Sequence, residues 1–560
     1  MRPLLVFTLA ALPYLNILPN KFVMDDLYQI EANPWIKEFP RVWQAFSTNM
    51  WGFERGASNY YRPHIHVFYA LVHMVSGKNP WGYHLTNILF HAGTSMLVYL
   101  ISLALLRERF GEKKAVLASI ISALVFILHP IHTEAVAWAS AISELSFSFF
   151  FFLAFYFWIK SEGRKPFLVL SSALVFFLSL LCKESAVMLP SVFLAYDLIF
   201  RRKEKFLFRY GSLAAGLVLY LILRVNGLGA LMVSVEHGRG QVALSGWGYL
   251  MNIPPLFAVY IFKVLFPIKL NAVHLFHVKR LLEPATLLSL PVAVLYGLAC
   301  LYALRRNRQE ILFLLFFFAL AILPALYIKG VCGNTWAERY LYLPSLGFSI
   351  LVGYISTLFL EKENRTRTAL SVLLLALLSF YAVSTVERTF IWRTNKSLWR
   401  DTLKKSPNVG IVYMGYGGAL FEEGRFDEAE AAFNRALQFL PGDYELFNLL
   451  GRLYAEKGLL EKSEAFLRKA VALAPSYAEA HMSLGVTYTK QGHTAEAIKE
   501  FEAARRLLPQ YPAPHFNLGL AYLEMGKPAT AVRELKRLSV SSRETRNFIT
   551  IFQSPLNSSG

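Results

Sequence analysis

Two adjacent carboxylates stand just after the first apolar run of this chain, in Phe22-Val23-Met24-Asp25-Asp26-Leu27-Tyr28-Gln29-Ile30. Three chemistries suit such a pair. It could start a helix, because Asp is a favoured N-cap. It could bind Mg or Mn, which prefer oxygen ligands. It could also take a proton from a hydroxyl, since an alcohol is a poor nucleophile until a base removes its proton.

Other polar residues recur at the ends of apolar runs. They lie in Tyr60-Tyr61-Arg62-Pro63-His64-Ile65-His66, in Leu128-His129-Pro130-Ile131-His132-Thr133-Glu134, in Cys182-Lys183-Glu184-Ser185 and in Trp336-Ala337-Glu338-Arg339-Tyr340. Each admits a plain structural reading: Lys183-Glu184 and Glu338-Arg339 as ion pairs at helix ends, His129 and His132 as interfacial side chains. The H-x-x-H-x-E pattern lacks the HExxH spacing of helical zinc sites, so no metal is assigned there. Taken together, ionisable groups near a membrane are costly and tend to mark function. Carboxylates beside Arg62, Lys183, Arg339, His64, His129 and His132 suit activation of a hydroxyl and stabilisation of a leaving phosphate.

The elements that must position these residues are apolar. Of 560 residues, 55% are hydrophobic and only 17% charged, against about 25% charged in soluble domains. The apolar excess is confined to residues 1 to about 385. Some eleven stretches approach the ~20 residues that cross a bilayer: 3–19, 84–106, 115–131, 140–159, 166–182, 185–200, 207–225, 284–304, 310–328, 340–360 and 368–386. Met1 to Leu18 reads as a retained first span, because no small-residue cleavage site follows it. Basic clusters fall after every second span, at 107–114, 160–165, 201–209, 305–308 and 362–367. The positive-inside rule makes that side cytoplasmic and leaves the acidic pair and the other polar loops outside. The net charge of +19 is thereby explained without nucleic acid. Residues 245–268 are apolar enough to cross, but Asn252-Ile253-Pro254-Pro255 should interrupt a helix. They read as a re-entrant or interfacial segment that opens a lipid groove. Cys182, Cys300 and Cys332 give neither a disulfide framework nor a CxxC metal spacing.

The remainder repeats. Gly417, Gly451, Gly485 and Gly519 are 34 residues apart, and Ala429, Ser463, Ala497 and Ala531 keep the same interval. Ala436, Ala470 and Ala504, then Pro441, Pro475 and Pro509, follow in register. This is the tetratricopeptide pattern. The expected organisation is an all-α chain: a membrane domain at 1–386, an interfacial linker at 387–409, about four repeats forming an α-solenoid at 410–541, and a tail at 542–560 of disordered composition.

FVMDDLYQI, YYRPHIHVFYALV, GYHLTNILFH, LHPIHTEAVAW, CKESAVMLP and AERYLYLPSLGF, followed by these repeats, resemble the transmembrane and tetratricopeptide repeat-containing O-mannosyltransferases of the GT-C glycosyltransferase superfamily. The resemblance runs over about 1–541. It implies a polyprenyl- or dolichyl-phosphate sugar donor, inverting transfer to a Ser or Thr hydroxyl, and an aspartate base in the first outer loop. Asp25-Asp26 matches that position. On this reading Asp25 is the base and Asp26 orients the acceptor or substitutes for it. Arg62, Lys183 and Arg339 offset phosphate charge, with His64, His129 and His132 donating hydrogen bonds. Glu134, Glu184 and Glu338 hold the cations. A divalent Mg or Mn ion at Asp25/Asp26 stays open as a cofactor. The concave face of the repeats would take an acceptor protein or peptide. The setting is a plasma or inner membrane in a prokaryote, or the endoplasmic reticulum in a eukaryote. Two other readings stand beside it: a lipid-linked oligosaccharide ligase, and a non-catalytic membrane-anchored repeat scaffold.

Overall fold

A computed structural model describes residues 2–37, 39–54, 58–162, 165–200, 206–231, 246–274, 283–327, 336–360, 364–509 and 512–536. Cys332, the tail 542–560, and the basic residues Arg164, Arg201, Arg202, Lys203, Lys205 and Lys362 lie outside them. The chain divides into two compact units, Met1–Asp401 and Thr402–Gly560. Among the described residues every regular element is helical.

In the first unit, helix α1 (Arg2–Ala11) leads into the acidic turn, and α2 (Pro63–Ser76) closes the first loop. The bundle follows as α3 (Pro80–Phe110), α4 (Glu112–Leu128), the short α5 (Thr133–Ala137), α6 (Ile142–Ser161), α7 (Pro166–Cys182), α8 (Leu189–Ile199) and α9 (Phe206–Leu228). Then come α10 (Gly246–Leu265), α11 (Pro284–Arg305), α12 (Gln309–Ile322), α13 (Ser345–Leu360), α14 (Asn364–Ile391) and α15 (Asn395–Lys405).

Among the described residues seven helices are long and apolar enough to cross a membrane, a bent pair at 112–137 makes an eighth if it is one span, and three shorter apolar helices join them. Large side chains on their outer faces, such as Leu207, Leu288, Leu295 and Leu373, stand open. Such exposure suits lipid and not water. Where helices meet, small residues bring backbones close: Gly353 of α13 leaves no room for a Cβ against Ala118 and Ser122 of α4.

Three expectations are refined. The stretch 185–200 is a 3-10 turn, Glu184–Met188, followed by the eleven-residue α8. At ~2.0 and ~1.5 Å per residue these extend together by about 26 Å. They do reach across the bundle: Asp197 accepts from Trp158 and from Tyr210, near the end of α6 and the start of α9.

The expected break at Asn252–Pro255 is absent. The helix α10 runs unbroken through Pro254 and Pro255. Both of its ends meet one end of the bundle. At its start Tyr249 packs on Tyr327, just past α12. At its end the Val264 carbonyl meets His129 Nε2 at 3.0 Å. Both of these partners belong to the end of the bundle that carries the acidic pair, so α10 lies over that end.

The boundary at 386 also moves. The last helix of the bundle continues to Ile391, and the residues after it brace the acidic turn. Arg393 carbonyl accepts from Lys21 N at 3.0 Å, and Asn395 Oδ1 accepts from Met24 N at 2.9 Å.

The second unit holds four helix pairs: α16 (Gly410–Glu422) with α17 (Phe426–Phe439), α18 (Tyr444–Glu456) with α19 (Leu460–Leu473), α20 (Ala478–Lys490) with α21 (Thr494–Leu507), and α22 (Pro512–Glu524) with α23 (Pro528–Lys536). Ala429, Ser463, Ala497 and Ala531 are fully buried. Each pair turns at a glycine with positive φ, namely Gly424, Gly458, Gly492 and Gly526, a conformation that costs glycine little. The 34-residue glycines serve packing: a Cβ on Gly485 would lie 2.5 Å from the Phe501 ring, and one on Gly519 2.7 Å from Leu535. Phe501 is itself buried and has little room to retreat. Gly485→Val should therefore destabilise the repeat unit by about 1–3 kcal/mol, the usual cost of overpacking, read as a lowered urea midpoint for the repeat transition of the full chain.

Candidate active site

The turn that carries the acidic pair is strained. Met24 has φ of 52°, a left-handed conformation costing a non-glycine residue about 1–3 kcal/mol. The bond from Met24 N to Asn395 helps hold it. A π-helical turn, Leu27–Ala32, follows directly, a form frequent at functional sites.

The two carboxylates then part company. Asp26 is fully buried. Its Oδ2 accepts from Val23 N at 3.0 Å, and its Oδ1 accepts from Ser140 N at 2.7 Å and from Ser140 Oγ at 2.5 Å. It does not cap the helix after it. Burial pushes its carboxyl up to about 7, opposed by the donors of Ser140 and Val23. Asp26 thus joins the acidic turn to the start of α6 and has no oxygen free to face an acceptor.

Asp25 is half-buried, and no side-chain hydrogen bond to its carboxylate is seen among the described residues. Burial raises its pKa, and the charge of Arg339 lowers it. Of the pair, Asp25 alone offers open oxygens.

Arg339, whose charge reaches Asp25, belongs to a wider set of cations from separate loops. Arg339 pairs with the buried Glu134 through its guanidinium, and its backbone N donates to the same carboxylate at 3.0 Å. Its guanidinium also lies 5.2 Å from the Trp138 ring centre and 5.0 Å from that of Tyr340. Lys183 pairs with Glu144 and sits 4.8 Å above Tyr340. Arg62 donates from Nε to Glu184 at 2.9 Å. Arg224 stands 3.6 Å from that same carboxylate.

A cavity of about 240 Å³ opens among them, lined by Tyr60, Arg62, Glu144, Lys183, Glu184 and Tyr340, with the end of α12 forming an apolar wall. Arg62 engages Glu184 through Nε alone, and Lys183 spends one of three donors on Glu144. Both retain N–H groups that could meet an anion.

The expected residues are therefore brought together only in part. Asp25, Arg62, Lys183, Arg339, Glu134 and Glu184 gather at one end of the bundle. The histidines do not line the cavity. His129 spends both ring nitrogens on backbone, donating to Val264 O and accepting from Ile131 N. His132 bonds Ser345 Oγ at 2.8 Å and packs among Phe126, Tyr342 and His91. His64 lies between Phe46 and Phe68. Glu338 holds neither Arg62, Lys183 nor Arg339. It accepts from Arg388 at 2.7 Å and His274 at 3.0 Å, and so ties the loop before Arg339 to α14.

Sequence reasoning missed Glu144, Arg224, Ser140 and Tyr340. A lone carboxylate in the first turn of an apolar span, and a lone cation in the last turns of α9, carried a signal that intramembrane charge is seldom idle. Ser140 and Tyr340 carried none.

A divalent ion bridging both aspartates would have to displace Ser140 from Asp26. Among the described residues no three His, Cys, Asp or Glu side chains stand close enough to hold a metal.

Comparison with known proteins adds the lineage. Two repeat families match the second unit: Tetratricopeptide repeat over residues 420–485 and TPR repeat over 487–526. Mouse Protein O-mannosyl-transferase TMTC3 is 26% identical over 80% of this chain and 52% of its own length. Human Protein O-mannosyl-transferase TMTC1 is 27% identical over 79% and 56%. Protein O-mannosyl-transferase F38B6.6 of Caenorhabditis elegans is 26% identical over 78% and 62%. The curated homologues of this chain are TMTC-type O-mannosyltransferases. The chain spans about half the length of the first of these TMTC relatives, and its repeat unit is a tetratricopeptide array. A solved structure titled "Crystal structure of MamA" covers 25% of this chain at 23% identity and a TM-score of 0.24, too low a likeness to argue from.

The two aspartates should separate by their effect on folding. Asp26→Ala strands three buried donors and should cost at least the ~1–3 kcal/mol of one unsatisfied group. Asp25→Ala should change stability little. Thermal unfolding of the purified proteins in detergent measures both.

Proposed function

We propose that this chain is an inverting membrane glycosyltransferase. It moves a mannose-type sugar from a polyprenyl- or dolichyl-phosphate to a Ser or Thr hydroxyl of an acceptor protein. The observation that carries this reading is Asp25: an open carboxylate on a strained turn that feels the charge of Arg339, whose chain neighbour Tyr340 lines the cavity holding Arg62 and Lys183. The homology to O-mannosyltransferases supports the same sugar and acceptor class.

In the proposed step Asp25 takes the hydroxyl proton as the oxygen attacks the anomeric carbon from the face opposite the phosphate. The bond from that carbon to the phosphate oxygen breaks, and the electron pair leaves with the lipid phosphate. The free N–H groups of Arg62 and Lys183 receive the developing negative charge, an electrostatic aid that is strongest where water is excluded. Phosphate is already a good leaving group, so no acid need protonate it. Glu134, Glu144 and Glu184 act as positioning residues that fix the cations.

The basic residues at 107–114 and 305–308 follow the far ends of α3 and α11. By the positive-inside rule this faces the site outward. The concave side of the repeat array is the proposed seat of the acceptor chain, as solenoids commonly use that face. If a divalent cation takes part, Asp25 is the ligand of the pair open to it.

The test is transfer by purified protein from a range of polyprenyl-phosphate sugars, with and without EDTA. Asp25→Asn should keep the fold and lose at least the ~10²–10⁴-fold that a positioned base contributes. Full activity in that variant would sink the assignment, and loss on chelation, restored by Mg or Mn, would bring the metal in.

The pH profile gives a second check. Asp25 must be ionised to act, and its burial-raised pKa means it binds a proton at a higher pH than an ordinary aspartate. Transfer should therefore fall on acidification before pH reaches the usual aspartate range near ~3.9. Asp25→Glu should move that limb, whereas Lys183→Arg should not.

A further inference from the structure

A second opening lies apart from the cationic cavity. It is a groove of about 670 Å³ between α1, α2, α3 and α6, lined by Phe7, Leu71, Val75, Leu85, Leu89 and Phe149 among others. Its wall is almost wholly apolar, and Leu71, Val75 and Leu89 stand well exposed along it. The α3 side runs from Trp81 to Met96, about 22 Å at ~1.5 Å per residue. That is a length suited to one extended acyl chain.

This groove is not the cavity seen from behind. Phe149 lines the groove and Phe147 lines the cavity. Two residues apart on α6, they point in nearly opposite directions, since each residue turns the helix by about 100°.

The groove has a charged rim. Ser76 and Trp81 both line it, and the short link between them carries Lys78. The charges of Lys78 and Lys37 act on one another, and both act on His73 of α2. Glu31 is the acid that reaches this group, through Lys37. Lys37 and Lys78 are exposed, and neither forms an ion pair among the described residues. Two lysines with a single acid in reach, near the end of an apolar trough, form a complement to a molecule with an anionic head and a hydrocarbon tail. Under the proposed function the donor phosphate belongs to the cavity, on the other side of α6. The occupant that fits here is a bilayer component.

We propose that this groove holds one acyl chain of an anionic phospholipid, with its phosphate on Lys37 and Lys78. The site is separate from the transfer chemistry and would brace α2, which closes the first loop, against α3.

Native mass spectrometry of the purified full chain, titrated with phosphatidylglycerol and with phosphatidylcholine, tests it without any sugar transfer. The result is thus independent of the transferase reading. Phosphatidylglycerol should bind in preference. Lys37→Gln and Lys78→Gln should each weaken it about five-fold, the equivalent of ~1 kcal/mol per lysine at a membrane surface, with little change for phosphatidylcholine. Leu89→Trp, which fills the trough, should weaken both lipids. Equal affinity for the two lipids in the unaltered protein would overturn the proposal. So would unchanged binding in the lysine variants, or displacement of phosphatidylglycerol by a polyprenyl phosphate mole for mole.

Discussion

The pairing of Arg339 with Glu134 is the contact on which the active end of the membrane unit depends. Glu134 is 1% exposed and accepts both the guanidinium and the backbone N of Arg339. One carboxylate thereby fixes a loop that lies some two hundred residues away in sequence. Removing one partner of a buried pair typically costs about 3–5 kcal/mol, because the survivor keeps its charge without a counterion. The pair also places positive charge beside Asp25, and Tyr340, next in sequence, spreads its ring beneath both Arg339 and Lys183. The charge beside Asp25 and the Tyr340 wall of the cavity are thus set by a single buried contact.

Around it the protein builds in layers. Asp26 and Ser140 tie the acidic turn to α6, while Asn395 and Arg393 tie it to the chain after α14. Glu338 draws Arg388 and His274 together behind the same loop. The strain at Met24 is tolerable because the surroundings supply it with partners.

Much of this was legible in the residues alone. Long apolar runs located most of the bundle helices. The two prolines at 254 and 255 promised a break, yet α10 continues and simply lies across the bundle end. A 34-residue period exposed the repeats, because small residues are required wherever two helices cross. Partner choice was not legible. Which carboxylate meets Lys183 depends on how α6 faces α7, and neighbouring Glu184 lost that contest to the more distant Glu144. The histidines of the third loop looked like ligands because a sequence shows their nitrogens; in the fold Phe126 and Tyr381 pack against their rings. Asp25 and Asp26 are chemically identical, and only burial distinguishes a working group from a brace.

The balance of charge in the cavity carries a kinetic implication. Arg62 and Lys183 of the cavity wall are paired with Glu184 and Glu144 of the same wall, so each of its cations already has an acid beside it. Under the proposed reaction the spent carrier leaves with more negative charge than the donor brought in. Bare cations would grip that product harder than the incoming donor and slow every cycle. Acids already seated beside each cation would temper that grip and so favour release of the spent carrier.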